Sequence, residues 1–210
     1  VHKIGEDNAH NAVEYISPNF SGLEFKLGLS TAYQGVEVEA RDNNRNKNDR
    51  AYFAAVAYNN GGLKLAATYD HTKYQIENAA TSAGNEYMLA ASYNFGPVAV
   101  GAGYDRTKFF NDDVRKTWRV TAAAPITAND TVGLSYSRGK VDIDAGETYD
   151  AKGWGLSYSH AMSKRTNVYA TYGQMSQDNE LNKGAVAQAY NFALDQSYER
   201  AFVVGMRHFF

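Results

Sequence analysis

A period of two constrains this chain more than any other feature. In LEFKLGLS (23–30), Leu23, Phe25, Leu27 and Leu29 fall on one side of an extended chain, and Glu24, Lys26, Gly28 and Ser30 on the other. Alternation of this kind over six to ten residues is the signature of a β-strand with two unlike faces. It recurs in EYMLAASYNF (86–95), VAVGAGYD (98–105), TWRVTAAA (117–124), TVGLSYS (131–137), GWGLSYS (153–159) and NVYATYG (167–173). NAVEYIS (11–17), AYFAAVAY (51–58), LKLAATYD (63–70) and the final SYERAFVVGMRHFF (197–210) bring the reading to about eleven strands.

The connections alternate as well. SPNFSG (17–22), NNGG (59–62), FGP (95–97), PITAND (125–130) and AMSKRT (161–166) are short turns of Gly, Asn, Pro and Ser. Between them lie the polar segments 33–50, 71–85, 106–114, 139–150 and 174–196. Strict alternation of short and long places all turns of one kind at one end of an up-and-down antiparallel sheet.

Composition narrows the choice of solvent. Formal charge is −2, which argues against a protein held on nucleic acid by phosphate electrostatics, and the lack of cysteine excludes disulfides and thiolate metal sites. No apolar run approaches the roughly 20 residues of a membrane helix. A barrel strand alternates its faces and so reads as polar on average, which keeps a membrane barrel open. The faces favour it. One is Leu, Val, Ala and Phe at mid-strand with Tyr58, Tyr69, Tyr93, Tyr104, Trp118, Tyr136, Trp154, Tyr158 and Tyr172 near the ends, as in an aromatic girdle. The other carries Gly, Ala, Ser and Thr with scattered charge, which suits a hydrated lumen. The predicted fold is therefore all-β: a transmembrane antiparallel up-and-down β-barrel.

Several stretches resemble the general porins of the Gram-negative outer membrane. NAVEYISPNFSGLEFKLGLS is similar to the strand–turn–strand after their inward-folded third loop, AYFAAVAYNNGGLKLAATYD to the next hairpin, and GMRHFF to their C-terminal strand. The resemblance implies a homotrimer of 16-stranded barrels, each with a water-filled channel for passive diffusion of small hydrophilic solutes and ions. It also implies a bilayer with lipopolysaccharide as surroundings, export on a signal peptide absent from this sequence, and no cofactor. It makes VHKIGEDNAH (1–10) the tail of the constriction loop and 11–210 the C-terminal part of one barrel domain, with five strands and most of that loop upstream of Val1. The terminal strand, with Phe202, Val204, Met206, His208 and Phe210 toward lipid, is implied to be the signal read by the barrel-assembly machinery.

A diffusion pore needs wall charges and no catalytic constellation. Glu14, Lys26, Lys64, Asp70, Asp105, Arg115, Arg119 and Arg207 are the pore-lining candidates, with Arg119 and Lys26 foremost because they lie inside strands. A substrate-specific channel for sugar or anion is the alternative, for which Tyr169 is one inward aromatic. An outer-membrane adhesin or an enzyme using His160 beside Ser157 and Ser159 is weaker. Asp42, Asn44 and Asn46 imitate a calcium loop, but Lys47 and Phe53 occupy the places of its glycine and glutamate. The five histidines share no close ligand spacing, so no metal site is predicted. GAVAQAYNFAL (184–194) has helix-like apolar spacing within the longest loop, where a polar cap is the plainer reading.

Overall fold

The computed structural model describes residues 10–32, 50–74, 82–109, 112–143, 146, 148–177 and 200–209. Eleven strands follow one another: β1 (His10–Ile16), β2 (Leu23–Ala32), β3 (Arg50–Asn60), β4 (Leu63–Tyr74), β5 (Ser82–Asn94) and β6 (Ala99–Lys108), then β7 (Val114–Pro125), β8 (Asp130–Asp142), β9 (Thr148–Ala161), β10 (Thr166–Gln177) and β11 (Arg200–His208). Each pairs antiparallel with its sequence neighbours in a single sheet of order β1 to β11. β1 and β11 are the sheet's two edges, so these strands form an open part of a barrel wall. Residues 1–9 of the proposed loop tail 1–10, whose His10 instead opens β1, residues 42–47 of the calcium-like stretch, segment 184–194 and Phe210 lie outside the described residues.

Every ladder keeps one register from end to end. Trp118 faces Arg138, Val120 faces Tyr136 and Ala122 faces Leu134 with no shift along β7 and β8. An unbroken register keeps every second side chain on the same face across the sheet. One face thus collects Leu27, Val56, Ala67, Leu89, Ala102, Val120, Leu134, Leu156, Ala170 and Val204, each level with or next to its neighbour. Aromatic rings bracket this band. On the long-loop side Tyr87 leans on Tyr104 at 6.3 Å between centroids, Trp118 on Tyr136 at 5.2 Å and Trp154 on Tyr172 at 5.5 Å. On the short-turn side Tyr93 packs against Phe95 at 4.5 Å.

Burial is inverted relative to a water-soluble sheet. The strand residues Ser30, Ala51, Phe53, Asp105, Thr107, Val141, Tyr149 and Ala151 are all buried, and all lie on the polar face. The apolar face is open: Leu134 is 56% exposed, Leu89 54% and Val204 67%. A continuous apolar surface of that breadth far exceeds the patch a monomer tolerates in water. It belongs against hydrocarbon.

The strands exceed the stretches of clear alternation, and nearly all the excess is at the long-loop end. β9 has 14 residues, an extended length of roughly 46 Å at about 3.3 Å per residue, whereas a tilted barrel strand crosses hydrocarbon in about 9–11 residues. The segments 106–114 and 139–150, read from sequence as long loops, shrink to connections 109–113 and 143–147. Arg106 to Lys108, Val114 to Lys116, Gly139 to Asp142 and Thr148 to Asp150 belong to strands instead. Beyond the hydrocarbon both faces can be polar, so the ladder continues where the alternation of hydrophobicity has stopped.

Turn chemistry closes the other end. Gly22 has φ 98°, and a Cβ there would strike the Asn59 carbonyl, whose own amide donates to the Gly22 carbonyl at 2.8 Å. The Asn19 side-chain oxygen accepts from the Gly22 amide at 2.8 Å. At the last hairpin the Phe209 amide donates to the Arg165 carbonyl at 2.9 Å, and Thr166 Oγ1 lies 2.9 Å from His208 Nδ1. These bonds lock the end of β11 to β10.

A charge in the apolar band measures the inversion. Leu134→Lys is expected to lower folding stability in lipid vesicles by about 2–4 kcal/mol, whereas Ser135→Lys, on the other face, is expected to cost under about 1 kcal/mol. Denaturant titration of the reconstituted protein reads both.

Candidate pore-lining face

The polar face is where the eight candidate charges fall. Glu14 is opposite Gly28, Lys26 opposite Ala55, Lys64 opposite Ser92, Asp70 opposite Glu86, Asp105 opposite Thr117 and Arg207 opposite Asn167. Arg115 is opposite Thr107, and Arg119 opposite Gly103. Shared register parity puts all eight on one surface.

Only three of them are in contact. Arg115 Nε lies 3.8 Å from Asp105 Oδ2, and Arg119 Nη2 lies 3.7 Å from Asp105 Oδ1. Arg115 also donates to Thr107 Oγ1 at 3.0 Å and lies over the Phe109 ring at 5.8 Å. These side-chain contacts and the low exposure of Arg115 (17%) fix it against the wall, whereas the Arg119 side chain is 61% exposed. Its stem crosses Gly103, where a Cβ would come within 3.4 Å of Arg119 Cγ. Asp70, Glu86 and Asp105 make an acidic strip on β4 to β6, facing the two arginines of β7. Lys26, Lys64 and Arg207 stand apart, toward the short-turn end. Glu86 was missing from the sequence candidates, although its place beside Tyr87 on an alternating strand already puts it on this face.

Beyond Arg119 the lining changes. Thr117, Thr121, Ser135, Ser137 and Thr171 join Gly139, Gly153, Gly155 and Gly173 around a recess of about 410 Å³ that also takes in Arg115 and Arg119. Ser135 Oγ donates to the Gly155 carbonyl and Ser157 Oγ to the Gly133 carbonyl, each at 3.4 Å. A larger groove of about 560 Å³, which includes Val56, Leu65, Leu89 and Tyr104, opens on the apolar face and is no place for a polar solute.

Among the described side chains, three aromatics break the rule that rings face lipid. Tyr169 lies across Gly205 on the polar face, as its place in the alternation requires, and Phe53 covers Gly28 in the same way. Tyr149 is buried against Val141 and Ile143. Phe53 escaped sequence reading because the glycine that makes room for it lies on a neighbouring strand, and Tyr149 because 139–150 reads from sequence as a loop.

The proposed Ser–His pairing fails on geometry. Ser157 pairs with Gly133 and Thr171 on the polar face, whereas His160 pairs with Asp130 and Val168 on the apolar one. His160 Nδ1 is 2.7 Å from Asp130 Oδ1, which also accepts from the Tyr158 hydroxyl at 2.6 Å. Ser159 shares the face of Ser157. Neither hydroxyl can reach the imidazole through the sheet.

Comparison with known proteins gives one consistent result. The model of a Gram-negative porin family matches residues 3–180. Among solved structures, an anion-selective porin from Comamonas acidovorans is 26% identical with a TM-score of 0.65, over 80% of this chain and 49% of that one. A loop L8 deletion mutant of OmpT, an outer membrane protein of Vibrio cholerae, is 14% identical with a TM-score of 0.67, over 94% and 62% respectively. A porin refined at 1.8 Å resolution is 14% identical with a TM-score of 0.62, over 94% and 60%. The chain thus spans about half to three fifths of the length of these structures. No curated protein sequence matches it significantly.

Because the chain has no cysteine, single cysteines report each face directly. In the membrane-inserted protein, Thr121→Cys is expected to react with a membrane-impermeant thiol reagent and Val120→Cys to resist it. Equal labelling of the two would contradict the assignment of faces.

Proposed function

The chain belongs to the Gram-negative porin family, and from that premise we propose that it builds part of the wall of an outer-membrane channel for passive diffusion of small hydrophilic solutes and ions. The inverted sheet carries this reading: an apolar band faces outward, and hydroxyls, glycines and fixed charges face inward. Such a lining keeps a bore hydrated, and charges of both signs along it orient polar solutes without binding them tightly. The work required is passage, which the family performs without catalysis.

In this reading the open edges at β1 and β11 pair with further strands to close the barrel, since unpaired backbone groups in hydrocarbon cost several kcal/mol each. Residues 1–10 belong to the constriction loop and 11–210 to the C-terminal part of one barrel domain. The protein is a homotrimer in the outer membrane among lipopolysaccharide, reached by export on a signal peptide. Phe202, Val204, Met206, His208 and Phe210 form the strand recognised by the assembly machinery. The eight inner charges tune ion flow, Arg119 most strongly, because its side chain is far more exposed than those of Arg115 and Asp105 beside it.

A second reading, an anion-preferring channel, is favoured by one observation. Arg119 is the most solvent-accessible member of the ion-paired cluster, and a solved structure 26% identical to this chain is described as an anion-selective porin. Planar-bilayer recording tests both readings. Large ohmic steps support the diffusion pore, and their absence from the complete protein refutes it. Arg119→Glu is expected to move the zero-current potential toward the cation limit by several times the shift seen for Arg207→Gln. No shift would remove Arg119 from the selectivity determinants.

A further inference from the structure

Arg119 stands at the margin of the inner recess with its donors uncommitted. Its 3.7 Å separation from Asp105 is an ion pair too long for a hydrogen bond. The N–H groups of the guanidinium fork are therefore left for something in the bore. Across the ladder Arg119 faces Ser137, and the next inward pair is Thr121 opposite Ser135. Thr121 and Ser135 are exposed, and Ser137 is half-buried. Ser135 Oγ has only its long 3.4 Å bond to the Gly155 carbonyl, and Thr121 and Ser137 make no side-chain hydrogen bond among the described residues.

Beyond these hydroxyls the wall drops to backbone. Ser137 is followed across β9 and β10 by Gly153 and Met175, and Ser135 by Gly155 and Gly173. Neighbouring strands lie about 4.8 Å apart and alternate residues about 6.6 Å apart. One guanidinium and three hydroxyls thus frame an area the size of a single sugar ring. The recess holds about 410 Å³, within the roughly 300–1,000 Å³ of small-molecule sites and far more than an inorganic ion needs.

The frame selects its occupant. A guanidinium asks for a carboxylate, whereas the hydroxyls beside it ask for a solute that both donates and accepts. A neutral sugar leaves the guanidinium unmet. A small anion leaves the hydroxyls unmet and is opposed by the nearby Asp105 carboxylate. We propose that the recess is a subsite for sugar acids, with the carboxylate on Arg119 and ring hydroxyls on Thr121, Ser135 and Ser137. The site is open to the bore, so its hold is brief and the solute moves on. The proposal deepens the channel reading and rests on it, since it names a class of solute that this wall delays in transit.

The test is planar-bilayer recording of the complete protein at fixed chloride with glucuronate, acetate or glucose added, each current corrected for bulk conductivity. Glucuronate is expected to lower the current at concentrations where acetate, glucose or both together leave it unchanged. In Ser135→Ala/Ser137→Ala the half-blocking concentration of glucuronate is expected to rise about tenfold, and in Arg119→Gln by more than about tenfold. Gly173→Val fills the recess without touching these groups, because a Cβ there meets only the Trp154 carbonyl at 3.6 Å. It is expected to abolish the block. Thr131→Ala/Ser159→Ala removes two opposed hydroxyls of the same strands nearer the short turns, and is expected to leave the half-blocking concentration as it was. Conduction by each variant shows that it has folded. Block by acetate as strong as by glucuronate would mark a simple anion site, and equal block by glucose a neutral-sugar site; either overturns the proposal. So does unchanged block in the Ser135/Ser137 or Gly173 variant. Silent channels from the complete protein refute the porin reading, whereas conducting channels without glucuronate-specific block refute the recess alone.

Discussion

Everything in this sheet depends on the requirement that backbone amides and carbonyls find partners where water is absent. Hydrocarbon offers none, so each strand must pair with its neighbours along its whole membrane span. Ten unbroken ladders meet that demand between β1 and β11. Unbroken pairing has a second effect, since a slip of one residue in any ladder would turn that strand's lipid face toward the bore. Backbone satisfaction and the sorting of side chains are therefore one constraint seen twice.

Charge is organised by the same register but to different ends on the two faces. Inside, Asp105 holds Arg115 and Arg119 at 3.8 and 3.7 Å, so opposite signs sit side by side in a wet wall. Outside, like signs sit side by side at the long-loop margin, from Arg106 to Lys152. The inner arrangement is built on one shared carboxylate, whereas on the outer margin Asp142 and Asp150 meet Lys116 and Arg138 one to one. The aromatic rows separate this margin from the hydrocarbon and set how far from the bilayer centre it lies.

Strand number, order and facing were legible in the sequence because lipid and water impose opposite chemistries on alternate residues. Leu134 and Ser135 illustrate it: adjacent in sequence, they belong to opposite solvents. The full length of the strands was not legible. At Arg138–Gly139–Lys140–Val141–Asp142 both faces have left the hydrocarbon, so hydrophobicity no longer alternates although the ladder with β9 runs on. The eight inner charges could be placed on a face from parity alone, but the contact of Asp105 with Arg115 and Arg119 needed the register of β6 against β7. Phe53 was hidden for a related reason. Its ring fits inside only because Gly28, in a different strand, leaves the space.

The inner lining is made of two unlike materials. From β2 to β7 it bears Lys26, Lys64, Met88 and Arg119, long side chains with several rotamers each. Across β8 to β10 it is mostly glycine, serine and threonine, so the surface there is little more than the peptide backbone itself. Rotamer changes can vary the free cross-section from the first sector, while the second behaves as a fixed ruler of almost constant radius. Along this stretch of wall the two materials differ in what they can rearrange: the first has side chains to turn, and the second, Tyr169 and Met175 apart, has little to move.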